Sequence, residues 1–352
     1  MKSTLARRPH EIFGFDTFLN ELKSLGFTFK LASDSKLSEN WKNLENPLSS
    51  TFKEPSKCDF CYHSKKVGLQ ENWGLVFRDS KSTTEVAANE ILIDCADAAM
   101  DFLLRKMAVK EWVGEGENHT TAYKSQVKFS AEDGVVMGPA CEIGEGVVLE
   151  AGVRIGARVK IGKGTRIGTG SRIADDTVIG DNCYFRGPVS IGGHGFGFIS
   201  YPKSPLPRHR IHVGSVLIGD GVQLGSFVCV DRGVFEDTVI GNFAATDNIV
   251  QIAHNCRVGK HNILCGFVAL SGSTVLGDYV TLGGLVVSKG HLTVGNKVQI
   301  GAFSALTTDV PDGAMLRGVP ARPIRHDLKI MAIQDKLPEI YKQLKGFLKE
   351  DV

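Results

Sequence analysis

Long apolar runs are missing from this 352-residue chain. No stretch approaches the roughly 20 apolar residues that a membrane-spanning helix needs. The first fifteen residues, Met1 to Phe15, carry charges but no apolar core of a secretory leader. A soluble, cytoplasmic protein is therefore expected. An excess of one charge is also missing: 41 Lys and Arg stand against 39 Asp and Glu, a net charge of +2, so nothing global points to nucleic acid. Paired cysteines are scarce as well. Of the 8 cysteines, Cys141, Cys183, Cys229, Cys256 and Cys265 are scattered singly through the centre, and Cys58, Cys61 and Cys95 lie nearer the start. That distribution suits reduced, packed thiols rather than a disulfide framework. Cys58-x-x-Cys61 with His63 nearby has no second Cys pair or spaced His pair to complete a zinc site, so no metal is expected.

Between Met137 and Leu306 the helical period of 3.6 and the strand period of 2 are absent too. In their place every sixth residue is aliphatic. Ile143, Leu149, Ile155, Ile161, Ile167, Ile173, Ile179, Phe185 and Ile191 form a first block, and the beat returns at Ile218, Leu224 and Val230. It slips phase once and then runs from Ile240 to Leu306, and the following residue is often one of the 40 glycines. A fixed hexapeptide period marks a parallel β-helix. Six residues make one short strand and its corner, and three such units close a triangular coil of about 18 residues, with strands stacked ~4.8 Å apart. The aliphatic residue points inward. The small residue after it is expected to let the backbone turn without a Cβ clash.

The flanks read differently. Residues 1–120 lack the beat: Phe15, Phe18, Leu19, Leu22 and Leu25 share a helical face that Gly26 ends. Gly74 to Phe77 and Ile91 to Ile93 suit buried strands, and Ala98 to Met107 suits a second helix, together a small α+β domain. Residues 121–312 form the prism and 313–352 a tail. From Ile191 to Ile218 the spacing is not a multiple of six, so a loop leaves the prism there, carrying Gly192 to Phe198 and a Pro- and Arg-rich piece, Pro202 to Arg210. A binding element and an inert insertion are both open readings. In the tail, Ile330, Ile333, Leu337, Ile340, Leu344 and Phe347 make a narrow heptad seam, with Pro338 predicting a kink or a fresh helix start. Such a seam wants partner helices, and with a triangular prism a homotrimer is the economical expectation. The basic residues there, Arg317, Arg322, Arg325 and Lys329 among them, read as a solvated face or as a dock for an acidic partner.

Chemistry concentrates between Asp247 and Asn255. His254 lies two residues past inward-facing Ile252, so it points outward. One and two coils on stand Gly272 and Gly290, and His291 follows. Two imidazoles thus share a face, roughly 10 Å apart, with exposed glycine backbone between them. A base beside a backbone N–H is what acyl transfer requires. Asp247 is placed to fix the imidazole tautomer. A zinc site would need a third nearby His, but five residues past His291 stands Asn296, and His261 projects from another part of the coil.

Several stretches resemble one family. They are the hexapeptide prism, Asp231-Arg232-Gly233, Gln251-Ile252-Ala253-His254-Asn255, Gly290-His291, and the ending Gly318-Val319-Pro320-Ala321-Arg322-Pro323. Together they resemble the UDP-3-O-acylglucosamine N-acyltransferases of lipid A biosynthesis. The resemblance covers residues 120–350 and, in outline, the N-terminal region from Asp59-Phe60 to Asp94. It implies a mainly β architecture: a left-handed parallel β-helix between an N-terminal α+β nucleotide-binding domain and a C-terminal helical tail. The implied assembly is a homotrimer with active sites between subunits, in the cytoplasm of a Gram-negative bacterium and at most peripheral to its inner membrane. The implied reaction moves a 3-hydroxyacyl chain from the 4′-phosphopantetheine arm of acyl carrier protein to the 2-amino group of a UDP-3-O-acylglucosamine, with no permanently bound cofactor.

The resemblance also implies roles: His254 as base, Asp247 orienting it and the Gly272 N–H as oxyanion hole. Asn248, Gln251, His291, Gly195 and Phe196 would line the pantetheine and substrate site, and Arg317, Arg322, Arg325 and Lys329 would meet the acidic carrier protein. Departures are visible. Where the family holds uracil with Phe-x-x-Asn-x-x-Tyr, this chain has Phe60, His63 and Lys66, and Lys66 can pair with a phosphate but cannot stack as Tyr does. The family's Asp-Gly-Phe-Gly becomes His194-Gly195-Phe196-Gly197, and Arg210 to Val213 lacks the usual Pro-Gln. Two further readings follow from these changes: a related acyltransferase with a different nucleotide-sugar acceptor or CoA donor, and a catalytically silent trimeric binding protein.

Overall fold

The hexapeptide spacing becomes a stack of very short strands. In the computed structural model, which describes residues 14–31, 37–41, 46–47, 59–63, 75–79, 90–107, 134–204 and 206–350, they assemble into three sheets of 8, 10 and 9 strands. Ile155 pairs with Ile173 and Ile173 with Ile191, while Ile161 pairs with Ile179 and Ile167 with Phe185, so each coil returns after 18 residues. Each coil sends two residues inward per face, the beat residue and the one two before it. Val153 with Ile155, Val228 with Val230 and Val268 with Leu270 all lie in the one continuous core of the prism. Burying such side chains stabilises by about 1.5–3 kcal/mol each, and no coil buries its own flat faces, so the stack is stable only as a whole.

The glycine after each beat residue serves a different purpose from the one expected. A Cβ on Gly156 would stand 2.5 Å from the Asp175 N of the next coil, and one on Gly241 2.8 Å from the Gly259 carbonyl carbon. These glycines let successive coils approach. The left-handed turn itself comes two residues later, at Arg158, Asn182, Ser273 and Lys297, with φ of 57°, 54°, 61° and 57°. Just before it, the first turn residue aims its N–H along the stack. Side chains from the following coil accept it on more than one edge, as Asp175 does for Ala157 at 2.9 Å, and along one edge they do so repeatedly. Lys163 N–H meets Asp181 Oδ1 at 3.0 Å, Asp181 meets Asp220 at 2.8 Å, Lys260 meets Asp278 at 2.7 Å, Asp278 meets Asn296 at 2.9 Å and Asn296 meets Asp312 at 2.8 Å.

Two interruptions in the beat have one purpose. Ile191 pairs with Val230 rather than with a residue 18 on, so the segment between them leaves the prism, and Ile218 pairs with Ile240 across the smaller phase slip. The first insertion carries a hairpin in which Phe198 and Ile199 face His209 and Arg208. Both insertions pack on the N-terminal domain, built as α1 (Phe15–Ser24), β1 (Phe29–Leu31), α2 (Leu37–Asn40), β2 (Asn46–Pro47), β3 (Asp59–His63), β4 (Leu75–Asp79), β5 (Glu90–Ile93) and α3 (Ala96–Met107). Its sheet runs β1-β5-β4-β3-β2, antiparallel only at β1–β5. Phe18 and Leu22 of α1 and Phe77 and Ile91 of the sheet share a core with Ile199, Tyr201, Val213 and Phe235 from the insertions.

Polar contacts reinforce that junction. Buried Asp101 of α3 accepts hydrogen bonds from Tyr201 Oη at 2.7 Å, Ile211 N–H at 3.0 Å and Arg105 Nε at 2.7 Å. Asp97 pairs with Arg210, and Arg105 donates to the His209 carbonyl. The N-terminal domain therefore grips the extruded loop through its 209–211 backbone and side chains.

At the far end, Met315–Arg317 is the last strand in prism register, and α4 (Ile324–Gln334) and α5 (Leu337–Glu350) follow. Pro338 sits in the first turn of α5, so the fresh-start alternative is the one adopted. Leu328, Met331, Ile333, Leu337, Ile340 and Leu344 are all exposed on these helices. Among the described residues no helix is long and apolar enough to cross a membrane.

Candidate active site

His254, Gly272 and Gly290 occupy one corner in three successive coils, following the paired residues Ile252, Leu270 and Ser288. The imidazole lies directly over glycine. A Cβ on Gly272 would stand 2.5 Å from His254 Cε1 and 2.7 Å from Nε2, so any larger residue would displace the ring. On the other side a Cβ on Gly195 would stand 2.9 Å from His254 Cδ2. Two glycines thus make the slot. Because residue 290 has no side chain, the Gly272 N–H has no acceptor among the described residues, unlike its equivalents on the capped edge. His291, also exposed on this corner, donates its N–H to the Gly272 carbonyl at 3.0 Å.

The charge state follows from the surroundings. His254 is half-buried, and burial pushes its pKa below the ordinary imidazole value; the contact with Asn255 opposes this, while Arg210 and His291 add to the lowering. A neutral ring at physiological pH is a competent base. Its tautomer can be read from Asn255. The Asn255 Oδ1 accepts the Val234 N–H at 3.0 Å while its Nδ2 donates to the Glu236 carbonyl at 3.2 Å. That orients Oδ1 toward His254 Nδ1 at 3.1 Å, so Nδ1 carries the proton and Nε2, the atom over Gly272, carries the lone pair.

The expected role of Asp247 as orienter is not met within one chain. Asp247 follows a strand of the ten-stranded sheet and His254 a strand of the nine-stranded sheet, so a corner of the prism separates them. Seven residues are one hexapeptide and one more, enough to carry the chain onto the next face. Asp247 Oδ1 accepts the Asn248 N–H at 2.8 Å, and Asn248 Oδ1 caps the Ser226 N–H at 2.8 Å. Gln251 is turned to Asp231, donating its amide N–H at 2.8 Å, a brace between coils. Gly195 is in the slot as described, and Phe196 on the same loop is exposed, edge-on to Phe198 at 5.3 Å.

The remaining expectations divide. Phe60 and His63 lie in β3, whose backbone pairs with Leu75 and Arg78 of β4, and Lys66 lies outside the described residues, as does Cys58. Arg317 and Arg322 approach buried Asp327 at 4.0 Å and 3.6 Å while staying partly exposed, so both tie the start of the tail together. Arg325 and Lys329 are exposed on α4. Among the described residues no group of three potential ligands could hold a metal ion, and Cys95, Cys141, Cys183, Cys229, Cys256 and Cys265 are free thiols.

Two residues went unassigned at the sequence level. Arg232 is buried and donates to the Gly192 and Asp175 carbonyls, each at 2.7 Å, pinning the exit of the extruded loop to the prism. His212 is also buried, its ring 5.3 Å from that of His254. The available signal was position: His212 falls in the segment that breaks the beat.

A match to a known repeat family agrees with this architecture. Residues 158–193 match the bacterial transferase hexapeptide family (six repeats). The UDP-3-O-acylglucosamine N-acyltransferase of Methylobacterium nodulans is 41% identical over 169 residues, 46% of this chain and 47% of that protein. A probable mitochondrial UDP-3-O-acylglucosamine N-acyltransferase 2 of Arabidopsis thaliana is 38% identical over 146 residues, 42% of this chain and 48% of that protein. The match thus spans about half the length of these curated relatives. Among solved structures, a UDP-N-acetylglucosamine acyltransferase from Campylobacter jejuni aligns with a TM-score of 0.48 at 29% identity, covering 54% of this chain and 71% of that one. Over the matched half, this chain is similar in sequence to the UDP-3-O-acylglucosamine N-acyltransferases.

Proposed function

We propose that this chain is an N-acyltransferase of lipid A synthesis, moving an acyl group from a carrier-protein thioester to the 2-amino group of a UDP-linked, 3-O-acylated glucosamine. The observation that carries the reading is the pairing of a neutral imidazole with an uncapped backbone N–H at one corner: His254 Nε2 over Gly272. The amine nitrogen attacks the thioester carbonyl carbon, forming the C–N bond. His254 takes the proton that the amine loses, and the Gly272 N–H stabilises the oxyanion. Collapse of the tetrahedral intermediate breaks the C–S bond, and the imidazolium returns its proton to the departing thiolate. The phosphopantetheine arm is here part of a substrate and not a resident cofactor.

A homotrimer completes the reading. Phe227, Ile249, Phe267, Leu285 and Phe303 are exposed in a row along the edge that also holds Asp247 and Asn248, an apolar ladder that a neighbouring prism would cover. Such packing would bring the Asp247 edge of one subunit to the His254 corner of another, where Asp247, Asn248 and His291 meet the substrate. The exposed apolar residues of α4 and α5 would then associate around the same axis, leaving Arg325 and Lys329 to the acidic carrier protein. The test is mass spectrometry of products from a panel of UDP-amino sugars and acyl carrier protein thioesters, with acyl-CoA as a second donor. Amide formed from the carrier-protein thioester supports the proposal; product from acyl-CoA alone replaces the donor, and no amide from any combination removes the activity.

A further inference from the structure

The two loop segments that depart from the family resemblance meet beside the base. His194 stands where the family has Asp, and His212 lies in the stretch without Pro-Gln. In the structure the His212 N–H donates to His194 Nδ1 at 3.2 Å, and the two rings stand 5.7 Å apart. His212 is 1% exposed, and its Nδ1 lies 3.1 Å from the Arg210 carbonyl. A carbonyl only accepts, so Nδ1 carries the proton and Nε2 presents a lone pair. Burial, chiefly, pushes the His212 pKa down to about 3, which keeps that lone pair free of a proton at physiological pH. Nε2 has no hydrogen-bond partner among the described residues. It borders the same space as the base: a Cβ built on Gly195 would touch His254 at 2.9 Å and His212 Nε2 at 3.2 Å. A buried acceptor left unmatched is costly, and its position beside a catalytic slot points to a donor arriving with the ligand.

Building on the acyl-transfer reading, we propose that His212 is a further substrate-contacting residue whose Nε2 accepts a hydrogen bond from the acceptor amine. The amine has two protons before attack. His254 removes one as the C–N bond forms, and the other stays directed at His212, which aims the nitrogen lone pair at the thioester carbon. The same contact selects among acceptors: it favours an N–H or O–H group at C2 of the sugar over a position without a donor. Asp101 holds the adjacent Ile211 N–H, so the N-terminal domain sets the height of this acceptor above the slot.

The test pairs a change in the ligand with a change in the protein. UDP-3-O-acylglucose, with a hydroxyl at C2, and its 2-deoxy analogue are compared as competitive inhibitors against the acceptor. For the wild-type chain the hydroxyl compound is expected to bind about ten-fold more tightly. In His212→Phe, which keeps the ring shape and loses the lone pair, the ratio should fall several-fold, to what the His254 Nε2 alone supports, and His212→Gln should recover most of it through the amide oxygen. A ratio that stays near ten in His212→Phe overturns the proposal. Should that variant fail to fold, ¹⁵N NMR of the wild-type chain decides: the Nε2 resonance should move on adding the hydroxyl compound and not the deoxy one, and an unmoved resonance overturns the proposal equally. Acyl transfer by the wild-type chain is measured alongside. Its absence would remove the acyl-transfer reading, whereas turnover with an unchanged inhibitor ratio would remove only the role of His212.

Discussion

Around the base, two edges of the same prism differ by one side chain per coil, although lower on the His254 edge Asp175 still accepts the Ala157 N–H at 2.9 Å. On the edge running from Lys163 to Asp312, Asp or Asn from the next coil accepts the outward N–H of six turns. On the edge holding His254, the residues in the same position one and two coils on are Gly272 and Gly290, and the N–H of Gly272 is left open. The backbone turn is alike on both, with φ of 61° at Asn255 and 55° at His261. The scaffold therefore offers a row of oriented backbone donors by default. Side chains consume them where only stability is needed, and glycine withholds the cap where a donor is needed for a ligand. Each withheld cap forgoes about 0.5–1.5 kcal/mol, which the shared apolar interior offsets.

Removing the base should break the contrast most completely. His254→Ala is expected to lower kcat by about 10²–10⁴-fold while the thermal transition changes little, since the ring lies outside the core. Steady-state kinetics beside a calorimetric scan would check this, and near-normal turnover would leave the corner without a chemical role. Next in size is the conversion of the active edge into a scaffold edge. Gly290→Asn supplies an amide oxygen to the Gly272 N–H, imitating Asn296 on Asp278. Its Cβ would land 2.9 Å from the Gly272 carbonyl oxygen, closer than ordinary contact, so the backbone of the coil must shift to admit it. The expected loss is about 10²-fold in kcat, as for removal of one oxyanion donor, with KM for the acceptor little changed. Full turnover in this variant would show that the open N–H is not used.

How far this was legible beforehand depended on periodicity. The prism, the stacking of residues 18 apart and the corner shared by His254, Gly272, Gly290 and His291 all follow from counting sixes. The second inward position escaped because hydroxyl and thiol residues dilute it. Thr165 and Ser171 occupy it while bonding the Gly180 and Gly168 carbonyls at 2.9 Å and 2.6 Å, so burial there does not require an aliphatic. Asp247 was placed beside His254 because separation along the chain says nothing about which face a residue reaches once a corner intervenes. His212 escaped for another reason: a segment that leaves the repeat has no register, and its position is fixed by Asp101 and Tyr201 of two different units.

The loop beside the active edge should also reveal itself through pH. His212 titrates near 3 in the folded chain against an ordinary 6.5. Its folded value is depressed, so below 6.5 the unfolded chain binds the proton first. Stability is fully present above 6.5 and is lost as pH falls toward 3, at about 1.4 kcal/mol per unit. Asp231 acts in the opposite sense: burial raises its carboxyl from 3.8 to about 6, so it withdraws stability as pH rises through that interval. Comparing wild type with His212→Gln at pH 7 and pH 5.5 cancels the Asp231 contribution. The wild-type chain should lose about 1 kcal/mol more in denaturant melts, and equal losses would mean that His212 is not held neutral.

The smallest effect is expected on the capped edge, and it is the one that separates the two edges most cleanly. Asp278→Ala removes the acceptor of the Lys260 N–H, a 2.7 Å bond, and leaves the coil otherwise complete. Lys260 is exposed, so water replaces the lost partner and the cost should stay within about 0.5–1 kcal/mol. Turnover should not change, because the base and the open N–H lie on another edge. An Asp278→Ala variant that lost activity while keeping its stability would mean that coil spacing is communicated between edges, and the division into a structural edge and a chemical edge would have to be given up. A variant that lost stability alone would leave the same outward N–H serving two purposes, assigned coil by coil by whether the following corner residue carries a side chain.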